Sequence, residues 1–300
     1  MSTLTSMRVG GPASVFYEPV SEEELIGRVL DCESAGESYI LLGNGTNVIV
    51  CDKGYSGVVI STLKALSGIE IQSSLSGPGN DPSSFGSISQ STGSVIMCGA
   101  GESLAKVCRF AAEHGLSGME ALSGIPGTVG GAVFMNAGAY DRDISDLIIS
   151  VRAFNIVDKN FIMLTNEDLG FSYRTSIFKK KPMIILSAEL SLTSGNREKI
   201  KAEMADFKKK RNEKQPVDLP SVGSFFKRPE GYFAGKLIED AGLKGTSVGG
   251  AMVSEKHAGF IVNTGNATAG DVLELAEIIK TKVYEKFHVK LEEEPIVIGN

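Results

Sequence analysis

Residues 124–140 read Gly-Ile-Pro-Gly-Thr-Val-Gly-Gly-Ala-Val-Phe-Met-Asn-Ala-Gly-Ala-Tyr, and this stretch decides the fold. Five of its residues are glycines, which reach positive φ angles and let another molecule approach the main chain closely. Successive backbone N–H groups in such a loop form a concavity that suits an anion such as a pyrophosphate. The neighbouring side chains are small or apolar, which also suits a flat ring system. A buried glycine-rich turn between core elements explains the composition equally well.

A second glycine-rich loop lies near the beginning of the chain, where residues 41–50 read Leu-Leu-Gly-Asn-Gly-Thr-Asn-Val-Ile-Val. The glycines supply special backbone angles, and the Thr and Asn side chains add donors for phosphate or ribose oxygens. No G-x-G-x-x-G opens a helix here, and no Gly-Lys-Ser/Thr follows, so the loop is neither a Rossmann fingerprint nor a P-loop. By itself it could be an ordinary hairpin turn.

The two loops together resemble the UDP-N-acetylenolpyruvoylglucosamine reductase family. The matching segments cover nearly the whole chain: residues 43–47, 124–131, 135–140, Ser-Tyr-Arg at 172–174, Gly-Ser-Phe-Phe-Lys-Arg-Pro at 223–229 and Leu-Glu-Glu-Glu at 291–294. The resemblance implies a cytoplasmic flavoenzyme of bacterial cell-wall synthesis. The short stretch between Arg174 and Ser224 resembles the shorter class of the family, which lacks a substrate-covering tyrosine loop.

The fold expected from this resemblance is α+β. A p-cresol-methylhydroxylase-type FAD-binding domain, made of two α+β subdomains, is predicted for residues 1–193. A C-terminal α+β substrate-binding domain is predicted for residues 194–300. The pattern of the chain agrees, because strand runs and isolated helices occur without regular βαβ alternation.

Composition narrows the class of protein. The chain has 300 residues, is 42% hydrophobic and carries a formal net charge of −6, so a broad basic surface for nucleic acid is not expected. No apolar run approaches the ~20 residues that span a bilayer, and the first residues lack the pattern of a signal peptide. The four cysteines and three histidines show no metal-binding spacing. We expect a monomer in the cytoplasm, with reduced thiols and no metal, nucleic-acid or membrane partner.

Local patterns predict the elements. Two strands are expected to pair with each other on either side of residues 43–47. Further strands are expected at residues 13–20, 58–62, 69–72, 94–101, 147–157 and 182–192, within 249–263, and at 289–298. Helices are expected from the capping pair Ser21 and Glu24 to about residue 32, after Ser103, from about residue 197 to 215, at 232–241 and at 269–287. The polar residues 73–93 are expected to be a solvated excursion without a role in function.

Three side chains could carry chemistry. Arg174 lies among apolar and hydroxylic residues, where an arginine pairs with a buried carboxylate or receives an anionic substrate group. The pattern alone favours the ion pair. Ser224 follows a glycine, which usually indicates turn chemistry. Glu294 and Glu292 share one face of the predicted last strand, and spacing cannot choose between them.

The resemblance does choose, because Arg174, Ser224 and Glu294 occupy the positions of the family's catalytic arginine, proton-donating serine and glutamate. It implies that NADPH, through non-covalently bound FAD, reduces the enolpyruvyl ether of UDP-N-acetylglucosamine to UDP-N-acetylmuramate. Arg174 and Glu294 would act where negative charge builds at the substrate carboxylate, and Glu294 needs a proton to help an anion. Ser224 would protonate the adjacent carbon.

Binding residues follow from the loops and from the resemblance. Contacts with FAD are expected at Gly43, Asn44, Gly45, Thr46, Asn47, Gly101, Ile125, Pro126, Gly127, Thr128, Gly130 and Gly131. Contacts with the UDP-sugar are expected at Tyr173, Lys214, Lys227 and His257. For the lysines a solvated side chain is the alternative, and for His257 a structural histidine. Arg228 could bind the UDP pyrophosphate together with Lys214 and Lys227, but it stands where the family often has Asn, which leaves that contact open.

Two other functions remain compatible with the sequence. A flavin oxidase of the same fold would act on a small alcohol or hydroxy acid, often with FAD tethered through a histidine. Neither glycine-rich loop contains a histidine, which favours non-covalent FAD. A non-catalytic nucleotide-binding module would bind no flavin and would not need Arg174, Ser224 and Glu294 together.

Overall fold

The computed structural model describes residues 1–72 and 93–299. Its α-helices are α1 (Glu22–Ala35), α2 (Leu104–Glu113), α3 (Val129–Met135), α4 (Arg197–Lys214), α5 (Ala234–Asp240) and α6 (Ala269–Phe287). Its strands are β1 (Ala13–Tyr17), β2 (Tyr39–Leu42), β3 (Val48–Val50), β4 (Tyr55–Ser61), β5 (Ile69–Gln72), β6 (Gly93–Gly99), β7 (Leu116–Ser117), β8 (Gly138–Ala139), β9 (Arg142–Asp143), β10 (Ile148–Asn155), β11 (Asn160–Thr165), β12 (Met183–Ser194), β13 (Ser247–Val248), β14 (Ala251–Val253), β15 (Ile261–Asn263) and β16 (Ile296–Ile298).

The chain divides into two compact units that are not contiguous in sequence. The first unit contains Met1–Glu18, Arg28–Ser61 and Lys209–Asn300, and the second contains Pro19–Gly27 and Thr62–Lys208. These units do not coincide with the predicted domains, which meet between residues 193 and 194. The predicted boundary concerns functional domains and remains a prediction.

The first unit has three small sheets. Strands β1, β4 and β2 form a parallel sheet with β4 in the centre, and β3 pairs in parallel with β16. Strands β13, β14 and β15 form an antiparallel meander. Helix α6 supplies the centre of the core, because Val272, Leu275, Ile279 and Val283 are fully buried, as their spacing predicts. Asp52 accepts hydrogen bonds from the N–H groups of Ala269 and Gly270 at the beginning of this helix.

The second unit is built on one antiparallel sheet with the order β11-β10-β12-β6-β5, and β7 adds to β12. Helix α2 buries one face, whose residues recur at helical spacing: Leu104, Val107, Cys108, Ala111 and Ala112. The mixture of helices with separate parallel and antiparallel sheets confirms the predicted α+β class.

Two local predictions are wrong, and several elements were missed. The strands flanking residues 43–47 do not pair with each other, because β2 pairs with β4 and β3 pairs with β16. The last strand begins only at Ile296, well after the expected residue 289. Strand β11 was not predicted. Helix α3 was not predicted either, because glycines occupy two of its seven positions and lower the helix propensity.

Several predictions concern absences or residues outside the described range. Within residues 1–72 and 93–299, no helix is long and apolar enough to cross a membrane. The same ranges contain no group of three metal-ligating side chains. The expected polar excursion at residues 73–93 lies outside the described residues, apart from Gly93.

Candidate active site

The loop of residues 43–47 joins β2 to β3 in the first unit. Gly45 has a φ of +60°, and a side chain there would collide with the main chain of Leu4. The Gly45 carbonyl accepts the N–H of Ser6 at 3.0 Å. Within the described part of the chain, the N–H groups of Asn44 and Gly45 donate to no acceptor. The loop therefore offers main-chain donors suited to an anion.

Asn47 ties this loop to the segment that carries Glu294. The Asn47 carbonyl accepts the N–H of Ile296 at 3.0 Å, and its side-chain amide donates to the Glu294 carbonyl at 3.4 Å. The loop predicted to hold the cofactor and the predicted catalytic glutamate therefore adjoin within the first unit.

Ser224 lies next to the segment of Glu294, because its neighbour Phe225 is hydrogen-bonded to Glu294. Gly223, with a φ of +82°, precedes it, and the Phe225 carbonyl accepts the N–H of Glu294 at 2.9 Å. Phe225 is 1% exposed and donates its own N–H to Gly259 at 2.8 Å, so this backbone is anchored on both sides. Ser224 is exposed, and its hydroxyl makes no hydrogen bond with any described residue.

The argument that placed Glu292 and Glu294 on one buried strand face is wrong. Both glutamates precede β16, and only Glu293 is paired, through an isolated bridge with Phe226. Ile296, which the same alternation would place on that face, is 41% exposed. Glu292 is exposed, and its carboxylate forms an ion pair with the Lys227 ammonium. Glu294 is half-buried.

The other predicted substrate contacts of the first unit differ in their surroundings. Lys214 is exposed at the last position of α4. Lys227 donates its backbone N–H to Glu292 at 2.8 Å in addition to the ion pair. The Nδ1 of His257 accepts the N–H of Gly259 at 3.0 Å, and the ring packs edge-on against Phe260. Burial lowers the pKa of His257 below its ordinary value, because it disfavours the charged imidazolium.

In the second unit, residues 124–131 lead into α3. Thr128 is the N-cap, and its Oγ1 accepts the N–H of Gly131 at 3.1 Å. Gly130 packs against Ala100, where an added Cβ would lie 3.0 Å from the alanine side chain, whereas Gly131 is exposed. A side chain at Gly101 would collide with the Thr62 carbonyl. Within the described residues, the N–H groups of Gly127 and Thr128 have no acceptor.

Arg174 is held beside this stretch. Its φ is +52°, and its guanidinium donates to the carbonyls of Asn136 and Gly138 at 3.2 and 3.1 Å. It lies 3.6 Å from an Asp143 oxygen and 4.9 Å from the centre of the Tyr173 ring. Asp143 is 43% exposed, so the partner is not the buried carboxylate that the pattern favoured. An ion pair of this kind contributes little to stability.

Asn136 was missed by sequence analysis. It is 3% exposed with a φ of +44°; its amide donates to Ser172 at 3.1 Å and its Oδ1 accepts the N–H of Ser145 at 3.2 Å. It thereby fixes both segments next to Arg174. The signal was present, because Asn is a common left-handed cap at the end of a helix. The signal went unused because α3 itself was not predicted.

Comparisons with known proteins identify the family of this chain. A model of the UDP-N-acetylenolpyruvoylglucosamine reductase C-terminal domain matches residues 215–298, and an FAD binding domain model matches residues 13–158. The UDP-N-acetylenolpyruvoylglucosamine reductase of Caldanaerobacter subterraneus subsp. tengcongensis is 46% identical over 299 residues, which is 100% of this chain and 92% of that protein. The chain belongs to the UDP-N-acetylenolpyruvoylglucosamine reductase family.

Two further members of the family are similar along the whole chain. The UDP-N-acetylenolpyruvoylglucosamine reductase of Clostridium novyi is 44% identical over 301 residues, covering 100% of this chain and 90% of that protein. A crystal structure of UDP-N-acetylenolpyruvylglucosamine reductase from Thermus caldophilus is 35% identical, with a TM-score of 0.77 over 99% of this chain and 97% of that one. The family resemblance and the predicted fold of an FAD-binding domain with a C-terminal domain are thereby confirmed.

The residues present fit FAD, the cofactor that the matched domain binds. Each glycine-rich loop, taken by itself, offers main-chain N–H groups without an acceptor among the described residues, and such groups suit a phosphate. Gly131 is exposed beside one of them, so that a ligand can approach the backbone closely. The individual contacts predicted from the sequence remain predictions.

Proposed function

We propose that this chain reduces UDP-N-acetylenolpyruvoylglucosamine to UDP-N-acetylmuramate with NADPH as the reductant, a step of peptidoglycan precursor synthesis. The observation that carries the proposal is the hydrogen bond between Glu294 N–H and the Phe225 carbonyl, which sets the predicted acid Ser224 beside the predicted glutamate. Bound FAD would carry the hydride from NADPH to the enolpyruvyl group. The flavin oxidase alternative has no comparable support, because the whole chain matches reductases.

Arg174 binds the carboxylate of the enolpyruvyl group in this proposal. Its fork of N–H donors matches a carboxylate, and three oxygens already orient the guanidinium. As negative charge builds toward the enolate, a preorganised donor stabilises the transition state by ~3 kcal/mol.

Ser224 supplies the proton that completes the reduction. Its exposed hydroxyl makes no hydrogen bond within the described residues, so it is available to a substrate. For its role, the Glu294 carboxyl needs a proton, so that it can donate a hydrogen bond to the developing enolate. Tyr173, Lys214, Lys227 and His257 are proposed to contact the UDP-sugar.

The Ser224 assignment is tested with Ser224→Ala. Bleaching of the flavin by NADPH should stay close to the wild-type rate, because the proton is needed only after the hydride has reached the substrate. Reoxidation by the enolpyruvyl substrate should slow ~100–10,000-fold, the usual contribution of general acid catalysis. Stopped-flow absorbance follows both half-reactions in one preparation.

Ser247→Ala is a matched control, because Ser247 is an exposed serine of the same unit. It should leave both half-reactions unchanged. Equal slowing of both half-reactions in Ser224→Ala would mean that Ser224 is a structural residue and that the mechanism is wrong.

The proposal retains a cytoplasmic monomer without a nucleic-acid partner. Support for the location comes from the cysteines, because Cys32, Cys51, Cys98 and Cys108 are all free thiols. Reduced thiols are typical of the cytosol.

A further inference from the structure

The segment that follows Ser224 turns two aromatic rings inward and two outward. Phe225 and Phe226 are 1% and 3% exposed and belong to the core of the first unit. Tyr232 and Phe233 are 49% and 62% exposed. Core packing accounts for the first pair but not for the second.

Phe233 does not stand alone, because the Arg228 guanidinium carbon lies 4.5 Å from the centre of its ring. The backbone builds this pair: Gly231 has a φ of +75°, and the N–H of Tyr232 donates to the Pro229 carbonyl at 3.1 Å. This turn brings Phe233 back over the chain to Arg228. The result is an exposed surface that combines a flat apolar ring with a planar cation.

This surface lies within reach of the proposed acid. Arg228 is four residues from Ser224, so the Cα atoms of the two residues are at most ~14 Å apart. The intervening Phe226 and Lys227 are fixed by pairing with residues 292–293, which makes the spacing rigid. A nucleoside diphosphate attached to a sugar can extend over such a distance.

We infer that Phe233 and Arg228 recognise the uridine diphosphate part of the substrate, with Phe233 as the specificity-determining residue. The inference rests on the proposed function and adds a base-recognition surface to it. The Phe233 ring stacks on the pyrimidine, a contact that needs only two flat π-faces. Arg228 donates to the phosphates, for which the planar guanidinium fork is suited.

Isothermal titration of the flavin-loaded protein with uridine, UDP and ADP tests the inference. Phe233→Ala and Phe233→Leu should raise the Kd for uridine and UDP roughly 5- to 150-fold, the usual contribution of one stacked base. Phe233→Tyr, which keeps the ring, should bind as the wild type does. Arg228→Ala should weaken binding of UDP but not of uridine. Tyr232→Ala is the matched control and should change each Kd less than about twofold.

Kinetics give a second readout. Because the base contact is the same in the bound substrate and in the transition state, Phe233→Ala should raise KM far more than it lowers kcat. Unchanged KM and UDP affinity in Phe233→Ala would overturn the inference and leave the proposed function standing. Weaker ADP binding with unchanged UDP binding would also overturn it. Wild-type protein that binds flavin but does not reduce the enolpyruvyl substrate would overturn the proposed function, and the UDP titration would then decide the inference separately.

Discussion

At the scale of single residues, Arg174 combines an unusual backbone conformation with a guanidinium that is largely buried. A non-glycine residue with a φ of +52° is uncommon, and such backbone strain often marks functional positions. Its ion pair with the half-exposed Asp143 is too weak to explain this geometry. The carbonyls of Asn136 and Gly138 orient the guanidinium but do not neutralise its charge.

Two variants separate the structural role of Arg174 from its catalytic role. Arg174→Lys keeps the charge but loses the fork, so kcat should fall about 100-fold. Asp143→Asn removes the ion pair, and asparagine remains a good N-cap for the short 3-10 helix Ile144–Asp146 that Asp143 precedes, so kcat should fall less than about threefold. Steady-state turnover with NADPH measures both. If Asp143→Asn loses as much activity as Arg174→Lys, the ion pair is the function of Arg174.

His257 makes stability depend on pH. Burial lowers its folded-state pKa below the unfolded value near 6.5, so the unfolded chain binds the proton first as the pH falls. The stability that the neutral ring contributes is present above about pH 6.5 and is lost as the pH falls through the folded-state pKa. His257→Gln should therefore flatten the decrease in the free energy of unfolding between about pH 7.5 and 5.5.

Urea titrations at several pH values measure this slope. His288→Asn is the control, because His288 is exposed in the same unit and asparagine tolerates its left-handed backbone. A His257→Gln variant with the full wild-type pH dependence would show that other groups cause it.

At the scale of elements, helix α3 contains two adjacent glycines, Gly130 and Gly131, and their surroundings differ. Gly130→Ala places a methyl group 3.0 Å from Ala100 and should destabilise the protein by ~1–3 kcal/mol. Gly131→Ala meets only the Thr128 hydroxyl at 3.3 Å, so the apoprotein should be as stable as the wild type. If Gly131 serves close approach of FAD, the same variant should bind FAD at least about 10-fold more weakly.

Thermal unfolding of the apoprotein and fluorescence titration with FAD distinguish the two effects. Unchanged FAD affinity in Gly131→Ala would remove Gly131 from the cofactor contacts. Gly130→Ala serves as the steric comparison, because it should lower the melting temperature even without FAD.

Elements with strong local signals could be predicted from the sequence. Helices α2 and α6 bury the faces that their spacing indicates. Strands β2 and β3 were recognised, but their partners were not, because β4 and β16 lie at other places in the chain. Local patterns favour a hairpin, and none of them indicates that β3 pairs instead with a strand 248 residues later, as Val48 does with Ile296.

The residues of the candidate site could likewise be predicted only in part from local patterns. Chemistry alone left Glu292 and Glu294 equivalent and favoured a buried partner for Arg174. Ser224 and Glu294 adjoin through a non-local backbone hydrogen bond from Glu294 to Phe225, which spacing within one segment cannot reveal. Only the family resemblance chose these residues beforehand.

At the scale of the whole molecule, residues 73–93 connect two strands that are already in register. Gln72 pairs with Val95 in the antiparallel β5–β6 pair, so a short turn can replace the connection. We expect turnover within about twofold of wild type. Stability should rise by ~1 kcal/mol, because closing a shorter loop costs less entropy. Turnover and thermal melting of the shortened chain measure both, and a folded variant with little activity would assign a role to the segment.

The pairing of β3 with β16 also has a consequence for synthesis on the ribosome. The two strands are separated by about 250 residues, which translation at about 5–20 residues per second spans in roughly 10–50 s. Until Ile296 emerges, Val48 and its neighbours have no strand partner, although Ile49 and Val50 are fully buried in the finished fold. Strand β3 must therefore stay unpaired on the nascent chain until then, whereas β1, β2 and β4 already have one another as partners, and chaperones can bind this apolar strand. Completion of the first unit therefore follows the synthesis of residues 62–208, which belong to the second unit.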